Sequence, residues 1–493
     1  MENENPTQEL ITQNSPLNDH KNGESNADRI YCRKLSLFCK NSTLSMIAAN
    51  LRPSAPQLDR QNVVEVDSKL ALLRTAIIYG ANASGKSNLI KAASFMRHFV
   101  LNSARMQDED AIPVEPSCLD ESSSNSPAKF EIVFLLEGLQ YRYGFSATKN
   151  RVVEEWLYFI RTKREVKLFT RVESELQIGS LFSEGRGLQE FDINNKLFLS
   201  VVAQSRKEGF AQKVRNWFLH SFSTLSADED INFMPYIMEC IETGKHFSAL
   251  REIVHRFDLD ISGLNVAEIP IPANIASLHD FIVEMTEGGS DSKPSQLKLH
   301  DQTSERTLKQ LRTVHDIRDK MGLVVEKREF PASEMESRGT TKLIALLGPL
   351  LDVLVNGKVL FLDEIDSRLH PMITAAIINL FNSPETNPKN AQLICNTHDT
   401  NLLDRHLFRR DQIFFVEKNG VSVSHLYSLA DFKLKNSHGA DQKNGNESSF
   451  EKDYIQGRFG AIPYLGNFSS LFIEESQHGE TTEESRSLVG VEQ

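Results

Sequence analysis

Thr75-Ala76-Ile77-Ile78-Tyr79-Gly80-Ala81-Asn82-Ala83-Ser84-Gly85-Lys86-Ser87-Asn88 decides how the rest of the chain is read. An apolar, strand-like run enters a turn with glycines at 80 and 85, and a helical pattern follows over 87–100. Glycines let the backbone wrap closely, so successive N–H groups converge on an anion at a helix N-terminus. Lys86 adds a mobile positive charge, and the Ser87 hydroxyl suits a hard cation. The stretch satisfies G-x-x-x-x-G-K-[ST] at every fixed position, in the strand-turn-helix context that the motif requires. Gly80, Asn82, Ser84, Gly85, Lys86, Ser87 and Asn88 are therefore expected to cradle phosphates, with Ser87 on Mg2+.

A second stretch, Val359-Leu360-Phe361-Leu362-Asp363-Glu364, is four apolar residues ending in two acids. It reads as a buried parallel strand whose C-terminal end carries ligand chemistry. Asp363 would hold Mg2+ through water, and Glu364 would polarise the water that attacks the γ-phosphate. Seen alone, it could be a core strand ending in a solvated turn; the partner motif at Lys86 argues otherwise. More than half of the chain separates Lys86 from Asp363, too much for a minimal GTPase core.

Three shorter signals surround that strand. Before it, Glu336-Ser337-Arg338-Gly339-Thr340-Thr341 opens an apolar helix over 342–355, offering hydroxyl, N–H groups and a positive dipole end to an anion. Ser337 and Gly339 are the candidates there, with an ordinary N-cap as the alternative. After it, Asp366-Ser367-Arg368-Leu369-His370-Pro371 resembles the D-loop of ABC-type ATPases, which lies at the dimer seam, and makes Asp366 a candidate nucleotide contact. Further on, the strand-like Ala391-Gln392-Leu393-Ile394-Cys395 ends at Asn396-Thr397-His398-Asp399, which places His398 as a γ-phosphate contact. His370 reads as structural or seam-lining, and His315 as structural.

With 493 residues, 40% hydrophobic and 25% charged, the composition is that of a soluble globular chain. No apolar run approaches the ~20 residues of a membrane span, and the N-terminus lacks a secretory pattern. Five cysteines without a CxxC suit reduced thiols, so a cytoplasmic setting without membrane contact is expected. A net charge of -12 argues against coating nucleic acid by bulk electrostatics and leaves a local basic groove open. The chain divides into a disordered tail (1–28), an N-terminal half of an α/β head (29–175), a mainly helical insertion (176–330), a C-terminal half (331–466) and an acidic flexible tail (467–493). Within these, strands are expected near 31–50, an antiparallel hairpin at 130–147 turning on Glu137-Gly138, and further strands over 151–170. Helices are expected over 194–257, a polar loop over 433–449, and helix alternating with strand three times over 340–427.

These residues resemble the ABC-type ATPases of the RloA and AriA-like group, relatives of the OLD-family ATPases of bacterial anti-phage systems. The resemblance extends to LSMIAAN (44–50), FEIVFLLEGLQYRYGF (130–145), LFLSVVAQ (197–204), ESRGTTKL (336–343) and YIQGRFGAIPYL (454–465). Arg338 departs from the smaller or acidic residue that the group's signature carries. The resemblance implies a mixed-sheet ATPase head with an antiparallel hairpin layer. It implies ATP and Mg2+ as cofactors and hydrolysis at the interface of a homodimer or higher even-numbered assembly, with Ser337 and Gly339 meeting the opposite subunit's γ-phosphate. It further implies a separately encoded effector, often a nuclease. No Toprim series is legible after His398, so the chain is expected to be the motor or sensor half of a system. A DNA-maintenance ATPase of the RecF or SMC type stays open beside this, although no heptad run long enough for a coiled-coil arm is present.

Overall fold

The computed structural model describes residues 31–37, 42–51, 56–115, 126–160, 164–188, 193–226, 233–257, 259–270, 307–419, 423–432 and 449–463. The two expected tails and most of the expected 433–449 loop lie outside these residues.

The central sheet has six strands in the order β11 (Phe222–Ser226), β15 (Val359–Asp363), β16 (Gln392–Asn396), β5 (Thr75–Tyr79), β17 (Ile413–Lys418) and β18 (Ser424–Ser428). The first five run parallel, and β18 closes the edge antiparallel to β17. Both β5 and β16 are buried at every residue, as expected of strands covered on two faces. Side chains alternate across a strand, and the alternation here divides two cores. Ala76, Ile78, Val359 and Phe361 join one core, whereas Ile77, Tyr79, Leu360 and Leu362 join the other.

The first core lies toward an antiparallel sheet in the order β10 (Glu175–Ile178), β9 (Glu165–Val172), β8 (Val152–Ile160), β7 (Leu139–Ala147), β6 (Ala128–Leu136), β1 (Tyr31–Leu37) and β2 (Ser42–Ser45). Helix Lys86–Asn102 contributes Leu89, Met96 and Phe99 to it, with Phe130, Phe145 and Trp217 around them. Glu137 and Gly138 both have positive φ, 52° and 72°, the two-residue turn whose twist matches a hairpin. The second core is filled by helices Arg338–Asn356 and Pro371–Asn382, including Leu343, Leu347, Ile377 and Phe381. By length and composition alone, Arg338–Asn356 could cross a membrane. Its apolar residues are instead buried in this core, Lys342 with them.

Two expectations need revising. Helices Phe198–Ser205, Phe210–His220, Met234–Thr243 and Phe247–Arg256 fill 194–257 as the pattern predicts. The segment 176–330 also supplies β11, paired in parallel with β15 from Phe222 to Ser226. It holds an antiparallel sheet as well, of β12 (Gly263–Pro270), β13 (Thr307–Arg318) and β14 (Val324–Pro331). In β11 only Phe222 is fully buried and the rest is Ser, Thr and Leu, so its strand character comes from its neighbour. The third helix expected between β16 and β17 is absent, replaced by short turns at Thr400–Leu402 and Arg410–Gln412. Asp399 and Asp404 accept the N–H groups of Asn401 and His406, at 3.0 and 2.8 Å. Such local bonds compete with a helix.

Candidate nucleotide site

Strand β5 delivers the chain to Gly80, where a Cβ would fall 2.4 Å from the Val416 carbonyl oxygen. Glycine is the only side chain that fits this approach. Ala83 and Gly85 then take left-handed φ values of 60° and 109°, which curl the loop before the helix starts. That helix begins without a side-chain cap and without an acidic residue in its first turn. Its N-terminus is therefore arranged for an incoming anion. Lys86 is 5% exposed, and its Nζ donates to the carbonyls of Gly80 (2.7 Å) and Ala81 (3.0 Å). Burial pulls the Lys86 pKa below its ordinary value, against the attraction of Glu364, Asp366 and Asp363. The Ser84 Oγ is buried with no hydrogen-bond partner among the described residues, a polar atom left over inside the loop. These features fit a phosphate chain.

Across from the loop, β15 ends at Asp363 and turns through Glu364, whose φ of 54° is left-handed for a non-glycine residue. Its neighbour β16 ends at Asn396, and the chain then passes Thr397 to His398. The His398 N–H donates to Asp366 Oδ2 at 3.1 Å, tying the two turns together. Burial and then the Lys86 charge lower the His398 pKa, while Asp366 and Asp363 oppose the change. Because the ordinary value is already 6.5, the ring is uncharged at neutral pH and can both donate and accept.

Asn82, Ala83, Ser84, Gly85, Lys86, Ser87, Asn88, Glu364 and His398 line one open cleft of about 550 Å³. Asn82 and His398, more than half of the chain apart in sequence, thus share a wall. Asp363 and Asp366 are not among the lining residues, yet their charges act on Lys86 and His398. Ser87 and Asp363 are the side chains that would hold Mg2+, which would neutralise charge between bound phosphates. No group of three or more His, Cys, Asp or Glu residues is gathered for a metal among the described residues. Two protein ligands suit an ion that arrives with phosphate oxygens.

Ser337 and Gly339 do not join this cleft. Within the chain Ser337 is an exposed N-cap, its Oγ accepting the Thr340 N–H at 3.0 Å. A Cβ on Gly339 would lie 2.7 Å from the Arg368 carbonyl oxygen, so the Ser337 turn rests on the loop that follows Asp366. His370 caps helix Pro371–Asn382 by accepting the Met372 N–H, and His315 pairs with Glu336 at 2.8 Å. Both have the structural places read from the sequence.

Sequence reasoning missed two residues. Asn396 bonds to both Asp363 and Glu364. Ser424, opening β18, donates to the Ser84 carbonyl at 2.6 Å and backs the phosphate loop. Neither stands in a motif: an Asn at a strand end reads as a turn, and Ser424 lies far along the chain.

No curated protein matches the chain. A family model does match, over residues 76–404, from the strand before the phosphate loop to just beyond His398, well over half of the chain. Its description is "AAA domain, putative AbiEii toxin, Type IV TA system". With the loop from Asn82 to Asn88, Glu364 and His398 lining one cleft on a mixed α/β sheet, the chain belongs to this family of P-loop ATPases.

Proposed function

We propose that the chain binds MgATP and hydrolyses it between two copies arranged head to tail. Glu364 would orient the attacking water, the neutral His398 would bond to the γ-phosphate, and Lys86 would leave its loop carbonyls for the phosphates. The observation that carries the pairing is the division of parts. The cleft holds loop, acid and histidine, whereas exposed Ser337 and half-buried Gly339 stand outside it, Gly339 against the Arg368 carbonyl. Because Gly339 packs on the Arg368 carbonyl, a second copy could place both elements together over the open cleft. Mixing tests this. Ser337→Arg should load ATP without turning it over, and Lys86→Ala should not load it. A heterodimer of the two spoils one site twice and leaves the other intact, so turnover should return to about half of wild type. Verified heterodimers with no recovery would place the whole site within one subunit.

The finer reading is an RloA or AriA-like defence ATPase, cytoplasmic, that controls a separately encoded effector, a nuclease by the resemblance. The toxin and antitoxin wording of the family description supports such a setting. ATP closure biases a partner only if that partner contacts the open and closed states differently. Co-purification with the products of neighbouring genes should therefore depend on nucleotide state. If no protein associates in any state while duplex DNA binds with steep salt dependence, the DNA-maintenance reading takes its place.

A further inference from the structure

Asn396 ends β16 with 1% of its surface exposed, and it bonds to three successive residues of the neighbouring turn. Its side-chain Nδ2 donates to Asp363 Oδ1, and its Oδ1 accepts the Glu364 N–H. Its main-chain carbonyl accepts the Ile365 N–H at 3.2 Å. The orientation of the amide follows from the chemistry. A carboxylate can only accept and a backbone N–H can only donate, so rotating the amide would set acceptor against acceptor and donor against donor.

We propose that Asn396 is the positioning residue for both acids of the site, an inference that rests on the MgATP reading above. Its donor engages one oxygen of Asp363 and leaves the other for the cation's water shell. Its acceptor pins the backbone of Glu364 at a φ of 54°, a left-handed region that non-glycine residues adopt at a cost and that a fixed partner holds in place. A side chain that holds both groups needs a donor and an acceptor on one carbon, as the amide has. An aspartate of the same shape keeps the acceptor and replaces the donor by a second carboxylate facing Asp363. Because the chain leaves β16 at Asn396 and passes Thr397 to His398, the same residue also fixes the start of the segment that carries the histidine.

The test reads nucleotide affinity, so that it does not depend on turnover. ATP binding to Asn396→Asp, Asn396→Ala and wild-type protein is titrated at rising Mg2+ and again in EDTA, with thermal unfolding as the check of folding. Loss of an outer-shell partner typically weakens metal affinity by about 10–100-fold. Both variants should need that much more Mg2+ to tighten ATP, while affinity in EDTA stays within about 3-fold of wild type, below 1 kcal/mol. A residue with only a structural role would lower the unfolding temperature without separating the two titrations. Variants that titrate with Mg2+ as the wild type does would overturn the proposal. A wild type whose ATP affinity ignores Mg2+ would overturn it too, together with the metal role of Asp363. A wild type that binds MgATP and never hydrolyses it would sink only the hydrolase reading.

Discussion

Lys86→Ala should abolish ATP binding while leaving the fold intact. The side chain is 5% exposed and is held by two carbonyls of its own loop, so its removal leaves Gly80 and Ala81 oxygens that water in the open cleft can satisfy. The loss to nucleotide is larger. Truncating one member of a buried charged pair costs about 2–5 kcal/mol, or a fall in affinity of roughly 30-fold to several thousand-fold. ATP at 100 times its Kd stabilises a protein by about 2.7 kcal/mol, and this increment is absent when nothing binds. Calorimetry with and without MgATP reads both quantities. The variant should unfold near the wild-type temperature without nucleotide and show no rise with it. A full ATP-induced rise in Lys86→Ala would remove the lysine from the site.

The second large effect separates binding from turnover. Glu364→Gln keeps the shape of the side chain, and the bond from Asn396 goes to the backbone of residue 364, which the change does not touch. Lys86, Ser87 and the loop N–H groups also remain. ATP affinity should therefore stay within a few-fold of wild type. Loss of a positioned general base typically removes about 10²–10⁴-fold of rate, and kcat should fall by that amount. A quench-flow burst distinguishes the causes: the variant should bind at the wild-type rate and show no phosphate burst. Equal steady-state rates in the two proteins would reject Glu364 as the group that activates water.

The sequence-level reading succeeded where chemistry is compressed into short segments. Gly80, Gly85 and Lys86 are identified by a backbone shape that other residues cannot take, and the structure shows why at Gly80 and Gly85. Strands β15 and β16 were legible because burial on both faces demands unbroken apolar runs. The misses share one physical origin. Phe222 to Ser226 is a strand because β15 lies beside it, and its own residues barely alternate. Asn396 and Ser424 act through bonds to partners 33 and 340 residues away, and local pattern does not register such partners. The supposed third helix failed for the opposite reason, since the aspartates at 399 and 404 carry turn chemistry that an apolar periodicity count overlooks. The motif at 197–204 gained a reason from the structure. Glu155 is fully buried and receives the N–H groups of Phe198 and Leu199 and the Tyr143 hydroxyl. Burial pushes its pKa up, and Arg171 pulls it back.

The place of β5 between β16 and β17 has a consequence for how the protein is made. The phosphate loop leaves the ribosome about 300 residues ahead of both strands that flank its root. Its outer support, Ser424, follows 340 residues behind Ser84. At about 5–20 residues per second that gap lasts roughly 17–70 s. Until β16 follows, the apolar edge formed by Ala76, Ile77 and Ile78 has no neighbour, and pairing so distant in sequence is slow to form. A nascent chain should therefore not bind ATP until β16 and β17 have been synthesised, and products terminated before β16 should be inert aggregating fragments rather than partial competitors for nucleotide.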